Sequence, residues 1–157
     1  MRTYTAEYST VIDASPQAVI AVLSDYEDAH KQILPKPYFA DMTVLEGGQG
    51  AGTKIRVDMD VYGVQRTFNL LVTEPEPGRR LVETDEVEGV ETTFAVDPVN
   101  GGRQSNVKIS AVFRQAPGFM GFMERLTTPG ISRRIYKKEL VLLADYLRTT
   151  VPQPRSA

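Results

Sequence analysis

From Tyr38 to Gln115 the chain reads as strand after strand, six in a row, and this run constrains the fold more than any other feature. Turn signals fall at Gly47 to Gly52, near Gly63, at Pro75 to Gly78, near Gly89 and at Asn100 to Gly102, close enough together for hairpins and too close for crossover helices. The strands therefore pair antiparallel. Their faces differ: Ile55, Val57, Met59 and Val61 alternate with Lys54, Arg56, Asp58 and Asp60, so one side is dry and the other wet. The same period places Phe68, Leu70 and Val72 inside, then Val90, Phe94 and Val96, then Val107, Ile109, Ala111 and Phe113. Residues 39 to 46 have no decisive phase.

A sheet with one dry face needs a cover, and both ends of the chain bear on it. Residues 3 to 12 alternate, with Tyr4, Ala6, Tyr8, Thr10 and Ile12 on one side, which adds a seventh strand. Ser15 then stands where a helix N-cap accepts a backbone N–H, and Pro16 follows at a position whose own N–H would go unpaired. A second short helical piece covers Glu27 to Leu34 before Pro35 and Pro37. After Gly118 the spacing is helical to about residue 149, with Phe119, Phe122, Met123, Leu126, Ile131, Ile135, Leu142, Leu143, Tyr146 and Leu147 as an apolar stripe. Pro129 and Gly130 predict a kink or break within it. The expectation is a single α+β domain over 1–150 in which a curved antiparallel sheet wraps a long C-terminal helix, with 151–157 as a frayed tail.

This order, with the run from Val11-Ile12-Asp13-Ala14-Ser15-Pro16 to Val19, the turn from Glu46-Gly47-Gly48 to Gly50-Ala51-Gly52-Thr53 and the final Leu140 to Leu147 helix, resembles the helix-grip superfamily. That superfamily includes START lipid-transfer domains, Bet v 1 allergens and the bacterial polyketide cyclase/dehydrase (SRPBCC) family. The resemblance spans residues 3 to 149 and implies a deep, mostly apolar pocket between sheet and helix. It does not choose an activity, because the fold hosts carriers, cyclases and chaperone activators alike.

Composition narrows the chemistry. The 157 residues include no Cys and one His, which excludes disulfides, thiolate metal sites, cysteine nucleophiles and any multi-histidine cage. Lys and Arg number 18 against 20 Asp and Glu, a net −2 that offers nucleic acid no electrostatic funnel. No cofactor or metal is called for. No run approaches the roughly 20 apolar residues of a membrane span. The reading is a cytoplasmic protein, monomer or homodimer, with no nucleic-acid partner and at most transient membrane contact.

The pocket residues expected are Ile55, Val57, Met59, Phe68, Leu70, Phe94, Ile109, Phe113, Met123, Leu126, Ile131 and Ile135, although for each of them a plain core position is the favoured reading. Arg66 shares the inward phase and either anchors a ligand's anionic or carbonyl group or snorkels at the Gly63 hairpin, the blander reading being favoured. Glu83 and Asp85 either line the cavity, for acid/base work or for pairing with Arg66, or belong to a solvated acidic edge with Glu86, Glu88 and Glu91; the edge is favoured. Tyr4, Tyr8, Tyr26, Tyr38 and Tyr62 offer hydroxyls, and Tyr38 is best placed. His30 is expected to be exposed and away from the pocket. Gly47 to Lys54 fails as a phosphate loop, since it ends Thr-Lys and enters a strand; it reads as a hairpin gating the pocket. Arg133, Arg134, Lys137 and Lys138 read as a solvated face, with membrane docking during lipid pickup as the second option. Together these features predict a binder or carrier of a hydrophobic small molecule such as a lipid, isoprenoid quinone or polyketide-like aromatic. An aromatase/cyclase-type enzyme using Arg66 with Glu83, Asp85 or a Tyr is the alternative, and a protein-partner module acting through the outer sheet face is the third.

Overall fold

The computed structural model describes residues 2–150, so the tail expected at 151–157 lies outside the described residues. Strand β1 (Thr3–Ile12) leads through α1 (Pro16–Leu23) and the single-turn α2 (Ala29–Gln32) into β2 (Phe39–Glu46), β3 (Lys54–Val61), β4 (Val64–Glu76), β5 (Arg80–Asp85), β6 (Val90–Val99) and β7 (Gln104–Arg114), and α3 (Gly118–Thr150) closes the chain. All seven strands form one antiparallel sheet in the order β1-β7-β6-β5-β4-β3-β2. The hairpin expectation therefore holds, and β1 returns to pair with β7. Register shifts in the β2–β3 and β4–β5 pairs mark the bulges that help bend the sheet. This is the helix-grip architecture.

The inward phase read from the sequence is the buried one. Ile55 opposes Leu70, and Phe94 lies between Leu81 and Ile109 on neighbouring strands. These side chains meet Val19, Leu23 and Tyr26 from the first helical segment and Leu140, Leu143 and Leu147 from α3 in one core. The unphased segment 39 to 46 is strand β2, with Met42 buried and bulges at either end that break the alternation.

Ser15 Oγ accepts the Ala18 N–H at 3.2 Å and starts α1 at Pro16. The glycine-rich loop does not gate the interior. It is stitched to the end of α1, where the Tyr26 N–H donates to the Gly48 carbonyl (2.9 Å) and the Gly50 N–H to the Ser24 carbonyl (2.8 Å). Glycine is required at position 48 because φ is +138° and a Cβ there would sit 2.3 Å from the Glu27 carboxyl. Pro129 does not break α3, which runs 33 residues through it. Proline deletes only the donor that would meet the Arg125 carbonyl, and the ladder on either side carries the helix across.

Candidate functional site

Between the concave sheet face and the second half of α3 lies a partly enclosed cavity of about 120 Å³. Of the residues expected there, Ile55, Val57 and Met59 of β3, Phe68 and Leu70 of β4, Glu83 of β5, Phe94 of β6, Ile109 and Phe113 of β7 and Ile135 of α3 line it. Leu34, Phe39, Met42 and Val90 complete an apolar wall. The polar lining comes from His30, Glu83, Thr92, Ser132, Tyr136 and Glu139.

Most of those polar groups come from three elements. His30 on α2 is buried, stacked on Tyr26 with ring centroids 4.5 Å apart and edge-on to Phe94 at 5.6 Å. Its Nδ1 lies 2.6 Å from the Leu23 carbonyl, which can only accept, so Nδ1 carries the proton. In the neutral ring Nε2 is then the free acceptor, and it stands 3.8 Å from Glu83 Oε2. The Tyr26 hydroxyl donates to that same carboxylate oxygen at 2.7 Å. Burial pushes the Tyr26 phenol well above its ordinary range, and the Glu83 carboxylate beside it adds to the shift. Glu139 projects from α3 next to buried Tyr136. Burial holds the Glu139 carboxyl well above the ordinary carboxylate range, with Glu83 pushing the same way. Glu139 and His30 thus line the same cavity, the first as a carboxyl whose proton is held more tightly than usual. Among the described residues, no group of three or more His, Asp or Glu side chains is arranged to hold a metal ion.

Several expectations are corrected. His30 is not exposed, because α2 is a single turn tucked beneath the sheet by the His30 N–H bond to the Asp25 carbonyl (2.8 Å) and by the Tyr26 stack. Glu83 and Asp85 are not a solvated edge: both are buried, as the Leu81 phase demands, and only Glu86, Glu88 and Glu91 face water. Asp85 stays out of the cavity, since it accepts the Asn69, Val87 and Glu88 N–H groups (2.9, 3.0 and 3.0 Å) and fixes the β5–β6 turn. Arg66 keeps its inward phase but sits at the strand end, half exposed, and reaches Glu124 of α3 at 3.1 Å. Tyr38 also lies off the cavity, with its hydroxyl 3.5 Å from that of Tyr62 and 3.4 Å from Lys138 Nζ. The Tyr62 and Lys138 hydrogen bonds draw the Tyr38 phenol below its usual value.

Met123, Leu126 and Ile131 do not line the cavity, for a reason of helical phase. The buried stripe of α3 runs through Ser132, Ile135, Tyr136, Glu139, Leu140, Leu143 and Leu147. Continued upstream at spacings of three and four, it falls on Thr128, Arg125 or Glu124, and Gly121, so the earlier apolar residues point elsewhere. That phase also identifies what the sequence reading missed. Glu139 lies four residues after Ile135 and four before Leu143, a carboxyl in the middle of an apolar stripe.

A family model described as polyketide cyclase/dehydrase and lipid transport matches residues 3–148. Among solved structures, the chain is similar to the KanY protein, with 29% identity over 94% of this chain and 99% of that one at a TM-score of 0.81. It is similar in fold to a protein from Thermus thermophilus (16% identity, 94% and 99% covered, TM-score 0.76). The Zhui aromatase/cyclase from Streptomyces sp. R1128 shares the fold too (16% identity, 99% and 100% covered, TM-score 0.74). No curated protein matches the sequence significantly.

Proposed function

Since this chain belongs to the polyketide cyclase/dehydrase and lipid-transport family, we propose that it binds a small, largely apolar molecule whose one polar end lies among His30, Glu83 and Glu139. The observation that carries the reading is a largely apolar cavity wall that nonetheless includes buried His30 and Glu83, held together with Tyr26. Its volume of about 120 Å³ sets a scale. A dry cavity of about 150 Å³ holds benzene, so the bound portion is a single ring or a comparable branched group, and a whole lipid or quinone would have to extend out of the mouth. Burying a carboxyl is costly, and a ligand oxygen that accepts the Glu139 proton would offset part of that cost. Arg66 ties β4 to α3 at the half-exposed strand end, away from this cavity.

The test is ligand-observed NMR and calorimetry with single-ring aromatic ketones and phenols. Binding is expected, and Met59→Trp, which fills the cavity from its wall, is expected to abolish it. If no probe binds, or if the Trp variant binds as well as the parent, the cavity is not the site.

The same groups favour a second reading, cyclase or dehydratase-type chemistry. With His30 neutral, Nε2 would take a proton from carbon next to a ligand carbonyl while Glu139 gives its own to the carbonyl oxygen, so that the ketone becomes an enol. The fold shared with an aromatase/cyclase makes this worth testing. His30→Asn and Glu139→Gln should then suppress deuterium exchange at the α-carbon of a bound ketone, while Glu139→Gln keeps the affinity. Exchange that persists in both variants would leave only the binding function.

A further inference from the structure

The two halves of α3 have opposite polarity. In the second half apolar residues face the core and Arg133, Arg134, Lys137 and Lys138 face outward. In the first half the inward stripe is Gly121, Glu124 or Arg125, and Thr128, with Glu124 held by Arg66 of β4. Its apolar side chains point to solvent: Phe119 is 74% exposed, Met120 70%, Phe122 51% and Leu126 62%. At about 100° per residue, Phe119, Met123 and Leu126 fall on the same side of the helix as Arg134 and Lys137. One continuous outer face thus carries an apolar end followed by a basic shoulder. The β3–β4 turn adjoins this shoulder, because exposed Tyr62 approaches Tyr38, whose hydroxyl and ring Lys138 contacts.

We propose that this outer face of α3 docks on an anionic lipid surface, with Phe119, Phe122, Met123 and Leu126 entering the acyl boundary and Arg134 and Lys137 meeting the headgroups. An apolar end alone would fit many partners. Cations directly behind it, on a chain whose net charge is −2, select a surface that is apolar below and negative above. A second copy of the chain would instead bring the same cations face to face, which is unfavourable. The inference is independent of the ligand and needs no occupied cavity.

Flotation of the purified full chain with phosphatidylcholine vesicles, with and without about 30 mol% phosphatidylglycerol, tests it. The parent is expected to float with the anionic vesicles and little with the neutral ones, and about 0.5 M salt should weaken the association several-fold. Phe119→Ser with Phe122→Ser, and separately Arg134→Glu with Lys137→Glu, should each lower partitioning about tenfold or more. These positions are exposed, so unchanged circular dichroism and unfolding midpoints are expected of both variants. Met59→Trp should float like the parent, which separates this inference from the ligand reading. Parent protein that stays with the buffer, or either double variant floating undiminished, would overturn the proposal. So would a concentration-dependent dimer that the Phe substitutions dissolve without any vesicle binding, since the face would then serve self-association.

Discussion

At the scale of the residue, Glu139 is the side chain whose cost is least explained by the fold. It lies in an apolar stripe between Ile135 and Leu143, where a leucine would pack without desolvating a charge. Burial, and after it Glu83, raises its pKa well above the ordinary carboxylate range. In the unfolded chain Glu139 loses that proton in the ordinary carboxylate range, whereas the native protein holds it to higher pH. Between those limits the native state binds more proton, so stability falls as pH rises, by at most about 1.4 kcal/mol per pH unit. Glu139→Gln keeps the shape and removes the titration. Urea unfolding at about pH 5 and about pH 8 should therefore show parent and variant close at the lower pH and the variant more stable at the higher. A gap that does not widen with pH would mean that Glu139 is not held as a buried acid.

At the scale of the element, α3 behaves as two helices fused at Pro129. The second half is anchored by Leu140, Leu143 and Leu147 in the core, while in the first half Gly121 alone is buried. Pro129 withholds one backbone bond at the junction, so the first half should open locally while the rest stays folded. Pro129→Ala restores a donor to the Arg125 carbonyl, and proline in a helix interior costs about 3 kcal/mol relative to alanine. Hydrogen exchange should slow in residues 118–128 by a large part of that amount and change little in β3 to β7; equal protection in parent and variant would mean that the junction is not a weak point. The same helix shows where the sequence was readable. In β3, β4, β6 and β7, side chains alternate against one sheet face, and a period of two cannot be mistaken, so the fold and most of the sheet-borne cavity wall followed. In α3 the period near residue 120 and that near residue 140 look alike, and only contact with the sheet tells which is inward. Periodicity alone therefore assigns Phe119, Phe122, Met123 and Leu126 to the wrong face, and a charge such as Glu139 reads by default as solvated. His30 was out of reach in another way: its burial depends on a single turn packing beneath strands far along the chain, which no local pattern encodes.

At the scale of the whole molecule, a sheet wrapped around one helix trades stability for interior space. Leu70 and Ile55 face each other across β3 and β4 and both bound the cavity, so each side chain there is packing on one side and wall on the other. Filling the cavity with a one-ring ligand at about 100 times its Kd would add about 2.7 kcal/mol to the native state, and each kcal/mol moves the midpoint of a chain this long by about 2–4 °C. Leu70→Ala should work in reverse: without ligand it loses about 2–5 kcal/mol, the cost of deleting a buried leucine side chain that its surroundings only partly refill. The enlarged space should then accept a two-ring compound that the parent excludes. Thermal unfolding checks both halves of the trade. The variant should melt below the parent alone, and a bicyclic ketone should raise its midpoint by more than it raises the parent's. A midpoint in the variant that no bicyclic compound moves would mean that the space collapses when it is enlarged, and that the leucine is there for packing and not to size a ligand.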